Sequence, residues 1–524
     1  MQTLPDVVHA AARQFGNLEA VVEGPARPTF ADVETAVAAR ARALVASGTE
    51  PGDRVGLWAP NGLEWIVLSF AVYATGAVLV PVNTRFKGDE AAYVLRQTGV
   101  RRLFTVTDFL DTDYVSLLDG SDLPDLDEIV VMAGPTPPGA TAWATFVDRA
   151  TSASIADVAA REARLRATDV CDVIFTSGTT GRPKGAELTH GASIETYRQW
   201  ADRVGLRPGD RELIVYPFFH TSGLKSGVLA AFLTGVTLVP HAVFDVESVL
   251  RVVAEERITF LPGPPSVFQS ILSHPDAGRF DLRTLRLSVT GAATVPVELV
   301  ERMRSELRLE SVVTAYGLTE THGTATVCRR TDPAATIART VGTALDGVEL
   351  RIVDDDGVDV EPGRTGEVWI AGFNVIRGYI ADPAATEAAI ADGWLRTGDI
   401  GYLEPDGHLH LVDRKKDVFI VGGFNVAPAE VERVLLRRDD VAQVAVVAVP
   451  DERLGEVGVA FVVARPGCTV EPADVVAWCR DRMANYKVPR YVHLVAALPV
   501  NASGKVQKAA LRDQLRGERP WIST

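Results

Sequence analysis

The chain has 524 residues, more than one typical domain core holds, so two or more domains or subdomains are expected. Its hydrophobic content of 47% and charged content of 23% are typical of an ordinary globular protein. A net charge of −15 argues against a nucleic-acid or anionic-membrane partner, although it permits a local basic pocket for an anionic substrate.

Four cysteines are spread along the chain without the paired spacing of a zinc site. Cys468 and Cys479 form the closest pair, Cys171 and Cys328 stand alone, and no neighbouring histidine completes a metal-binding pattern. This usage favours reduced, mostly buried thiols in a cytoplasmic protein. Residues 1–11 have neither the basic start nor the long apolar core of a signal peptide.

One apolar run, over residues 65–82, has the length of a membrane span. Gly76 and Pro81 interrupt it, and no basic flank orients it. A buried helix over 63–74, followed by a buried strand over 77–80, explains the run better. No membrane partner is therefore expected.

Up to residue 170, helical patterns alternate with short β-rich runs. The predicted helices cover residues 32–47 and 88–98, and the predicted strands cover 54–58, 77–81 and 102–106. Such alternation implies βαβ units and a parallel sheet.

The same alternation resumes over residues 213–326. It predicts a helix over 227–234 and strands over 212–216, 237–240, 258–261, 285–290 and 312–315. Polar or glycine- and proline-rich segments follow these strands repeatedly. Open α/β folds bind ligands at the carboxyl ends of parallel strands, so we expect the functional site there.

After residue 341 the pattern changes. Predicted strands over 349–353, 366–371 and 408–412 are separated by Asp/Gly turns, which favours an antiparallel, barrel-like section. The end of the chain favours a small α+β unit, with a strand over 441–449 and a helix over 473–483. We place the boundary at the charged run, giving domains 1–414 and 415–524. The predicted fold is therefore α/β, with two doubly wound subdomains and a barrel-like subdomain before the small unit.

Residues 175–185 combine glycines, hydroxyl side chains and two cations directly after an apolar strand. Glycines let backbone N–H groups approach a ligand closely, and hydroxyls add short donors. This is the chemistry of a polyphosphate cradle. The segment departs from the GxxxxGK[ST] pattern, because Pro183 stands where a second glycine is needed and Gly185 follows Lys184.

Six motifs together resemble the adenylate-forming acyl-CoA synthetase superfamily, which includes luciferases and peptide-synthetase adenylation domains. They are TSGTTGRPKG at 176–185, YGLTE at 316–320, TGD at 397–399, DRKKD at 413–417, GG at 422–423 and GK at 504–505. Residues 217–220, 262–265 and 290–296 are further similar to actinobacterial fatty-acyl or steroid-degradation acyl-CoA ligases, among them one for the bicyclic propanoate left from steroid rings C and D.

The resemblance implies a two-step reaction that uses ATP, Mg²⁺ and coenzyme A. A carboxylic acid first forms an acyl-AMP with release of pyrophosphate, and the coenzyme A thiol then displaces AMP. Transfer to a carrier protein or to another nucleophile is the alternative, and a non-catalytic binding protein is a third. The resemblance also admits a homodimer.

The resemblance also implies roles for single residues. Lys505 would bridge the carboxylate and the α-phosphate, Thr319 would donate to that phosphate, and Glu320 would bind Mg²⁺. The expected nucleotide-binding residues are Thr176, Ser177, Gly178, Thr179, Thr180, Lys184, Gly291, Ala292, Ala293, Tyr316, Gly317, Thr319, Asp399, Leu411, Arg414 and Lys505. A surface lysine, a helix N-terminal carboxylate and a turn aspartate are the plain alternatives for Lys505, Glu320 and Asp399.

The expected acyl-site residues are His220, Gly223, Lys225, Ser266, Gly291, Leu318 and Thr321. His220 would be a catalytic gate at the carboxylate end of the pocket, or alternatively a core histidine beside two phenylalanines. Lys225 could pair with a remote polar group of the substrate, or extend to solvent. Lys416 would be the hinge of a mobile C-terminal domain, and Gly422 and Gly423 would line the coenzyme A path.

Overall fold

The structure, a computed structural model, describes residues 1–176, 183–291, 295–414, 417–421, 424–451, 454–483, 485–501 and 505–517. One large hydrophobic core extends from the first helix to Leu409. Two smaller cores contain buried residues from Phe419 onward. The boundary between residues 414 and 415 stays a prediction.

A seven-stranded sheet forms the first subdomain, with strand order β5-β4-β3-β1-β2-β6-β7. All its neighbours are parallel except β6 and β7, which pair antiparallel. Its elements are α1 (Leu4–Phe15), α2 (Phe30–Ala46), β1 (Arg54–Trp58), α3 (Leu63–Ala74), β2 (Val78–Pro81), α4 (Gly88–Thr98), β3 (Val100–Val106), β4 (Glu128–Ala133), β5 (Thr141–Ala142), α5 (Trp143–Asp148), α6 (Ile155–Glu162), β6 (Val170–Thr176), β7 (Lys184–Thr189) and α7 (His190–Val204).

The predicted parallel sheet is confirmed, and so is the interpretation of the long apolar run. Helix α3 is buried on almost every side, and it leads into the fully buried strand β2. In the described part of the chain, no helix has both the length and the apolar character needed to cross a membrane.

The second subdomain carries two parallel strand pairs, β8 with β9 and β10 with β11. Short strands β12 and β13 extend the second pair antiparallel. The elements are β8 (Arg211–Ile214), a π-helix (Ser222–Leu229), α8 (Ala230–Thr234), β9 (Thr237–Pro240), α9 (Val246–Glu255), α10 (Pro265–Ser273), β10 (Leu287–Thr290), α11 (Val297–Ser305), β11 (Ser311–Tyr316), β12 (Thr326–Val327), α12 (Ala334–Arg339) and β13 (Thr343–Ala344).

Two predictions in this region are wrong in detail. The strand expected over 258–261 is reduced to isolated bridges of Phe260 with Glu212 and Leu287. Prolines follow at once, and proline cannot donate to a strand ladder. The helix expected to begin at residue 227 begins at Ser222 as a π-helix, a form often found at functional sites. Gly223 permits this early start, because a β-carbon there would collide with the Pro217 carbonyl oxygen.

An antiparallel sheet forms the third subdomain, as predicted. Its order is β14-β15-β17-β16, and β18 also pairs with β17. The elements are β14 (Val348–Val353), β15 (Gly366–Gly372), α13 (Pro383–Ala389), β16 (Ile390–Ala391), β17 (Trp394–Leu403) and β18 (Leu409–Arg414). The sequence did not predict β17, whose glycines and mixed burial hide its strand pattern.

The C-terminal unit is α+β, as predicted. Its sheet order is β20-β19-β22-β21, with β23 parallel to β22. The elements are β19 (Phe419–Val421), β20 (Phe424–Val426), α14 (Pro428–Leu435), β21 (Val441–Asp451), β22 (Gly455–Ala464), α15 (Pro472–Arg480), β23 (Tyr491–Leu494) and α16 (Lys508–Gly517). Helices α14 and α15 share one small core, and α16 packs in the other.

All four cysteines are free thiols, as the sequence predicts. Cys171, Cys328 and Cys479 are buried, and Cys468 is exposed.

We expect acid to destabilise this fold through its buried histidines. Burial lowers the pKa of both His190 and His322 to about 4. Because a histidine in an unfolded chain titrates near ~6.5, unfolding takes up these protons, and stability is lost as the pH falls from that value toward the folded pKa. In His322→Gln, the free energy of unfolding should depend less steeply on pH in this interval, by about 1.4 kcal/mol per pH unit. Calorimetry in a pH series would measure it.

His274→Gln, at a partly exposed histidine outside the core, serves as the matched control. Equal slopes for the two variants would contradict the assignment of the proton uptake to His322.

Candidate active site

The described residues of the expected nucleotide site lie where strands end. Thr176 ends β6, Gly291 follows β10 directly, and Tyr316 ends β11. Strands β10 and β11 are parallel, with Thr290 opposite Thr314. Their carboxyl ends therefore open at the same edge, as the sequence predicts for an open α/β fold.

The expected phosphate-binding segment connects β6 to β7. Thr176 and Lys184 lie opposite each other at the end of this antiparallel pair, so they flank the connection on both sides. Ser177, Gly178, Thr179 and Thr180 lie outside the described residues. The Lys184 ammonium lies 5.2 Å from the centroid of the Tyr379 ring, a distance suited to a cation–π contact.

Tyr379 connects Lys184 with the expected metal ligand. Its hydroxyl donates to Glu320 Oε1 at 2.7 Å. Burial, followed by the nearby Glu320 charge, raises the pKa of Tyr379, so the phenol stays protonated and remains a donor. Sequence reasoning missed Tyr379, because it belongs to no motif and reaches Glu320 only through the tertiary fold.

Tyr316 and Asp399, expected to bind adenine and ribose, are brought together. The Tyr316 hydroxyl donates to Asp399 Oδ2 at 2.6 Å, and both side chains are buried. Asp399 lies on β17 opposite the backbone of Arg414, and Leu411 lies opposite Gly401 on the same strand pair. The contact joins the end of the second subdomain to the antiparallel sheet.

A tight turn after β11 presents Thr319 and Glu320. A β-carbon on Gly317 would collide with the Gly323 carbonyl oxygen, so this position requires glycine. Thr321 is fully buried, and its hydroxyl accepts from the Leu318 N–H at 2.9 Å and donates to the Leu318 carbonyl at 3.0 Å. The observed role of Thr321 is therefore to hold the turn.

His322 anchors the same turn from the other side. Its backbone is left-handed, with a φ of 54°. The ring donates from Nδ1 to the Asn374 carbonyl at 2.7 Å and accepts from the Thr189 N–H at 3.0 Å. The ring is thus a neutral connector between β7, the turn and the third subdomain.

His220 lies at the start of the expected acyl site, as a neutral ring. Its Nδ1 accepts from the Ser222 N–H at 3.2 Å, which leaves the proton on Nε2. Burial, and then the positive charge of Lys505, lowers the pKa of His220 to about 4. Lys505 is exposed, and its positive charge is the second cause of the lowered pKa of His220.

Lys225 does not extend to solvent, as one interpretation of the sequence supposed. The side chain is 1% exposed and forms an ion pair with Asp172 of β6. Of the other expected acyl-site residues, Gly223 packs against the Pro217 carbonyl. Ser266, in the first turn of α10, and Leu318, two residues after β11, are half-buried.

Several expected site residues cannot be placed relative to this cluster. Ala292, Ala293, Lys416, Gly422 and Gly423 lie outside the described residues, and the Arg414 side chain does too.

Comparison with known proteins gives the family. A model of AMP-binding enzymes matches residues 8–380, and a model of the AMP-binding enzyme C-terminal domain matches residues 430–505. A curated relative from Mycobacterium tuberculosis, a 3-[(3aS,4S,7aS)-7a-methyl-1,5-dioxo-octahydro-1H-inden-4-yl]propanoyl:CoA ligase, is 47% identical over 98% of this chain and 99% of its own. A ligase of the same name from Rhodococcus jostii is 46% identical over 98% of both chains.

A solved structure agrees with these relatives. The anthranilate CoA ligase AuaEII in complex with anthranoyl-AMP is 27% identical, covers 98% of this chain and 97% of its own, and superposes with a TM-score of 0.89. The shared length, the two matched family models and the clustered site residues lead to one assignment. The chain belongs to the AMP-binding enzyme family.

Proposed function

We propose that the acid activated by this chain is a bicyclic propanoate of the dioxo-octahydroindene type. The observation that carries this proposal is the identity of 47% and 46% to two ligases with that substrate in their names, over nearly the whole chain. The segments around the expected acyl site, which resemble steroid-degradation ligases, support the same acid class.

The reaction is that of an AMP-forming acyl-CoA ligase. The carboxylate attacks the α-phosphorus of ATP, and the bond to pyrophosphate breaks. The thiolate of coenzyme A then attacks the acyl carbon, and AMP leaves. Both cosubstrates belong to the cytoplasm, where we place the reaction. A homodimer stays a prediction.

The nucleotide is held by residues from all three large subdomains. Tyr316, Gly317 and Gly291 would hold adenine, Asp399 would accept from the ribose hydroxyls, and Thr319 would donate to the α-phosphate. The remaining assigned nucleotide contacts are Thr176, Ser177, Gly178, Thr179, Thr180, Lys184, Ala292, Ala293, Leu411 and Arg414. Lys184, positioned by Tyr379, is a fixed cation for the negative charge that develops on the phosphates.

The donor set also fits Mg²⁺. Mg²⁺ needs few protein carboxylates when phosphates and water complete its shell, and Glu320 supplies one beside Lys184 and Tyr379. When bound, the ion would neutralise phosphate charge. The hydrogen bond from the Tyr379 hydroxyl holds the Glu320 carboxylate in place.

Lys505 and His220 define the place where the acid carboxylate would bind. Because His220 is neutral, Lys505 is the cation that would bridge the carboxylate and the α-phosphate. For adenylation, the C-terminal unit would bring Lys505 to the His220 side of the site. For thioester formation this unit would rotate about Lys416, bringing Gly422 and Gly423 to the coenzyme A path.

A panel of acids tests the proposed substrate. The bicyclic dioxo propanoate, its analogue without ring oxo groups, a medium-chain fatty acid and an aromatic acid would each be supplied with ATP and coenzyme A. We expect the dioxo acid to give the largest kcat/KM for AMP release, with a thioester product. Preference for the fatty or aromatic acid would overturn the assigned substrate but not the reaction.

Lys505→Ala should slow adenylation by about 100- to 1000-fold, the usual loss for one donor to developing charge. Pyrophosphate exchange measures this step. Thioester formation from preformed acyl-AMP should change far less, because the lysine acts on the α-phosphate. Lys508→Ala, whose side chain pairs with Glu432 inside the C-terminal unit, controls for loss of folding. Equal losses in both half-reactions of Lys505→Ala would count against its role.

Tyr379→Phe should lower kcat/KM for MgATP in adenylation by about tenfold, because the Glu320 carboxylate loses a charge-assisted hydrogen bond. The ring, and with it the contact to Lys184, is retained. Raising the Mg²⁺ concentration should restore part of the rate. Tyr114→Phe, which loses a neutral hydrogen bond to the Thr84 carbonyl in the first subdomain, is the matched control. A variant with wild-type kinetics at every Mg²⁺ concentration would disprove the link.

A further inference from the structure

A buried ion pair joins the first two subdomains behind the active site. Lys225, on the π-helix, pairs with Asp172 of β6, and the two side chains are 1% and 0% exposed. Tyr73 of α3 donates its hydroxyl to Asp172 Oδ1 at 2.5 Å, and Cys171 Sγ donates to Oδ2 at 2.9 Å. The Lys225 ammonium also lies 5.6 Å from the centroid of the Tyr73 ring.

Stability alone does not account for this arrangement. Removing two charges from water has a cost that their attraction only partly offsets, and apolar residues of similar volume often stabilise a core as well or better. The surroundings are largely apolar, since residues 65–74 of α3 and all of β2 are buried. An ion pair, in contrast, fixes the relative orientation and register of the two elements that carry it, here β6 and the π-helix.

Both elements lead directly into the site. Strand β6 runs from Asp172 to Thr176, where the expected phosphate-binding segment begins, a distance of roughly 13 Å along an extended strand. The π-helix begins two residues after His220, whose ring bonds to the backbone of its first residue, Ser222. The pair therefore connects the ATP side of the site to the acid side.

The neighbouring titratable groups add no charge of their own to the pair. The His190 ring, on α7, lies 6.0 Å from the Tyr73 ring. Burial lowers the pKa of His190, and likewise that of His322, so neither ring carries charge near neutral pH. The thiol of Cys171 is held neutral as well, because burial raises its pKa. Among the described groups around Tyr73, the charges are therefore those of Asp172 and Lys225.

We propose that Asp172 and Lys225 are positioning residues for adenylation, which hold β6 and the π-helix in the register that brings the acid carboxylate to the α-phosphate of ATP. The inference rests on the proposed function, because it uses the acid and ATP sites assigned there. Lys225 acts through Asp172 rather than on the substrate, since its ammonium is engaged by that carboxylate.

The test compares single and double variants. Lys225→Met leaves Asp172 charged and unpaired, so it should lower the melting temperature strongly. The double variant D172N/K225M is charge-free and nearly isosteric, so it should regain most of that stability. Its kcat for pyrophosphate exchange should nevertheless stay at least ~10-fold below wild type, because a small misplacement of reacting groups can lower a rate by ~100-fold. KM for the acid and for ATP should stay within about threefold, since each half-site is intact.

The buried pair of Arg286 and Asp210 provides a matched control. Both residues directly precede strands of the second subdomain, β10 and β8, and so lie at the end away from the site. D210N/R286M should lose stability without the selective loss of kcat. If D172N/K225M regains wild-type kcat together with its stability, the pair is only structural and the proposal is wrong. If its loss lies in KM for the acid alone, Lys225 binds the substrate directly, which also overturns the proposal.

Tyr73→Phe extends the test to a milder change. It removes one hydrogen bond from Asp172 and keeps both charges, so exchange should slow by roughly 3- to 10-fold at unchanged KM. A wild-type kcat in this variant would contradict the proposal even if the double variant does not fold. The wild type itself tests the proposed function: activity with a different acid overturns that substrate, and the pair is then tested with the acid that the enzyme uses.

Discussion

Two hydrogen bonds from phenols to carboxylates hold the candidate active site together. Tyr316 donates to Asp399, and Tyr379 donates to Glu320, so each bond joins the second subdomain to the third. A phenol orients a carboxylate without neutralising it, whereas an arginine or lysine in the same place would cancel its charge. Under the proposed function, both carboxylates must stay anionic, one to accept from ribose hydroxyls and the other to bind a cation. The choice of tyrosine meets both requirements.

Much of the architecture could be predicted, because local pattern and packing agree there. Helix α4 and strand β1 lie at the residues that periodicity predicts, and the motif residues lie at strand ends. Where tertiary contacts decide, the prediction was wrong in detail. Gly223 gives no local sign that it must avoid the Pro217 carbonyl, so the start of the π-helix was missed.

The site contacts that escaped prediction share one property: the two residues that form each contact lie far apart in the chain. Tyr379 and Glu320 are 59 residues apart, and Lys225 and Asp172 are 53 residues apart. A single lysine in an apolar run gives no local sign of its partner, so the sequence allowed either a contact with the substrate or extension to solvent. The tertiary structure shows that Asp172, the aspartate of the buried strand β6, pairs with Lys225 of the π-helix. Sequence motifs contain the residues expected to contact the ligand, whereas the residues that hold those motifs in place cannot be recognised from the local sequence.

Under the proposed function, the neutral state of His220 leaves the acid carboxylate to a single lysine, Lys505. An imidazolium at the entrance of the acyl site would attract the carboxylate of the acid and hold it there, since two opposite charges in a poorly solvated pocket bind strongly. The low pKa of His220 removes that competitor over the physiological range, and part of the lowering comes from Lys505 itself. The charge of the lysine therefore adds to the effect of burial on the histidine, and under the proposed function the neutral histidine leaves the carboxylate to the lysine. Burial is the larger cause of the low pKa of His220, so the ring stays neutral even without the influence of Lys505.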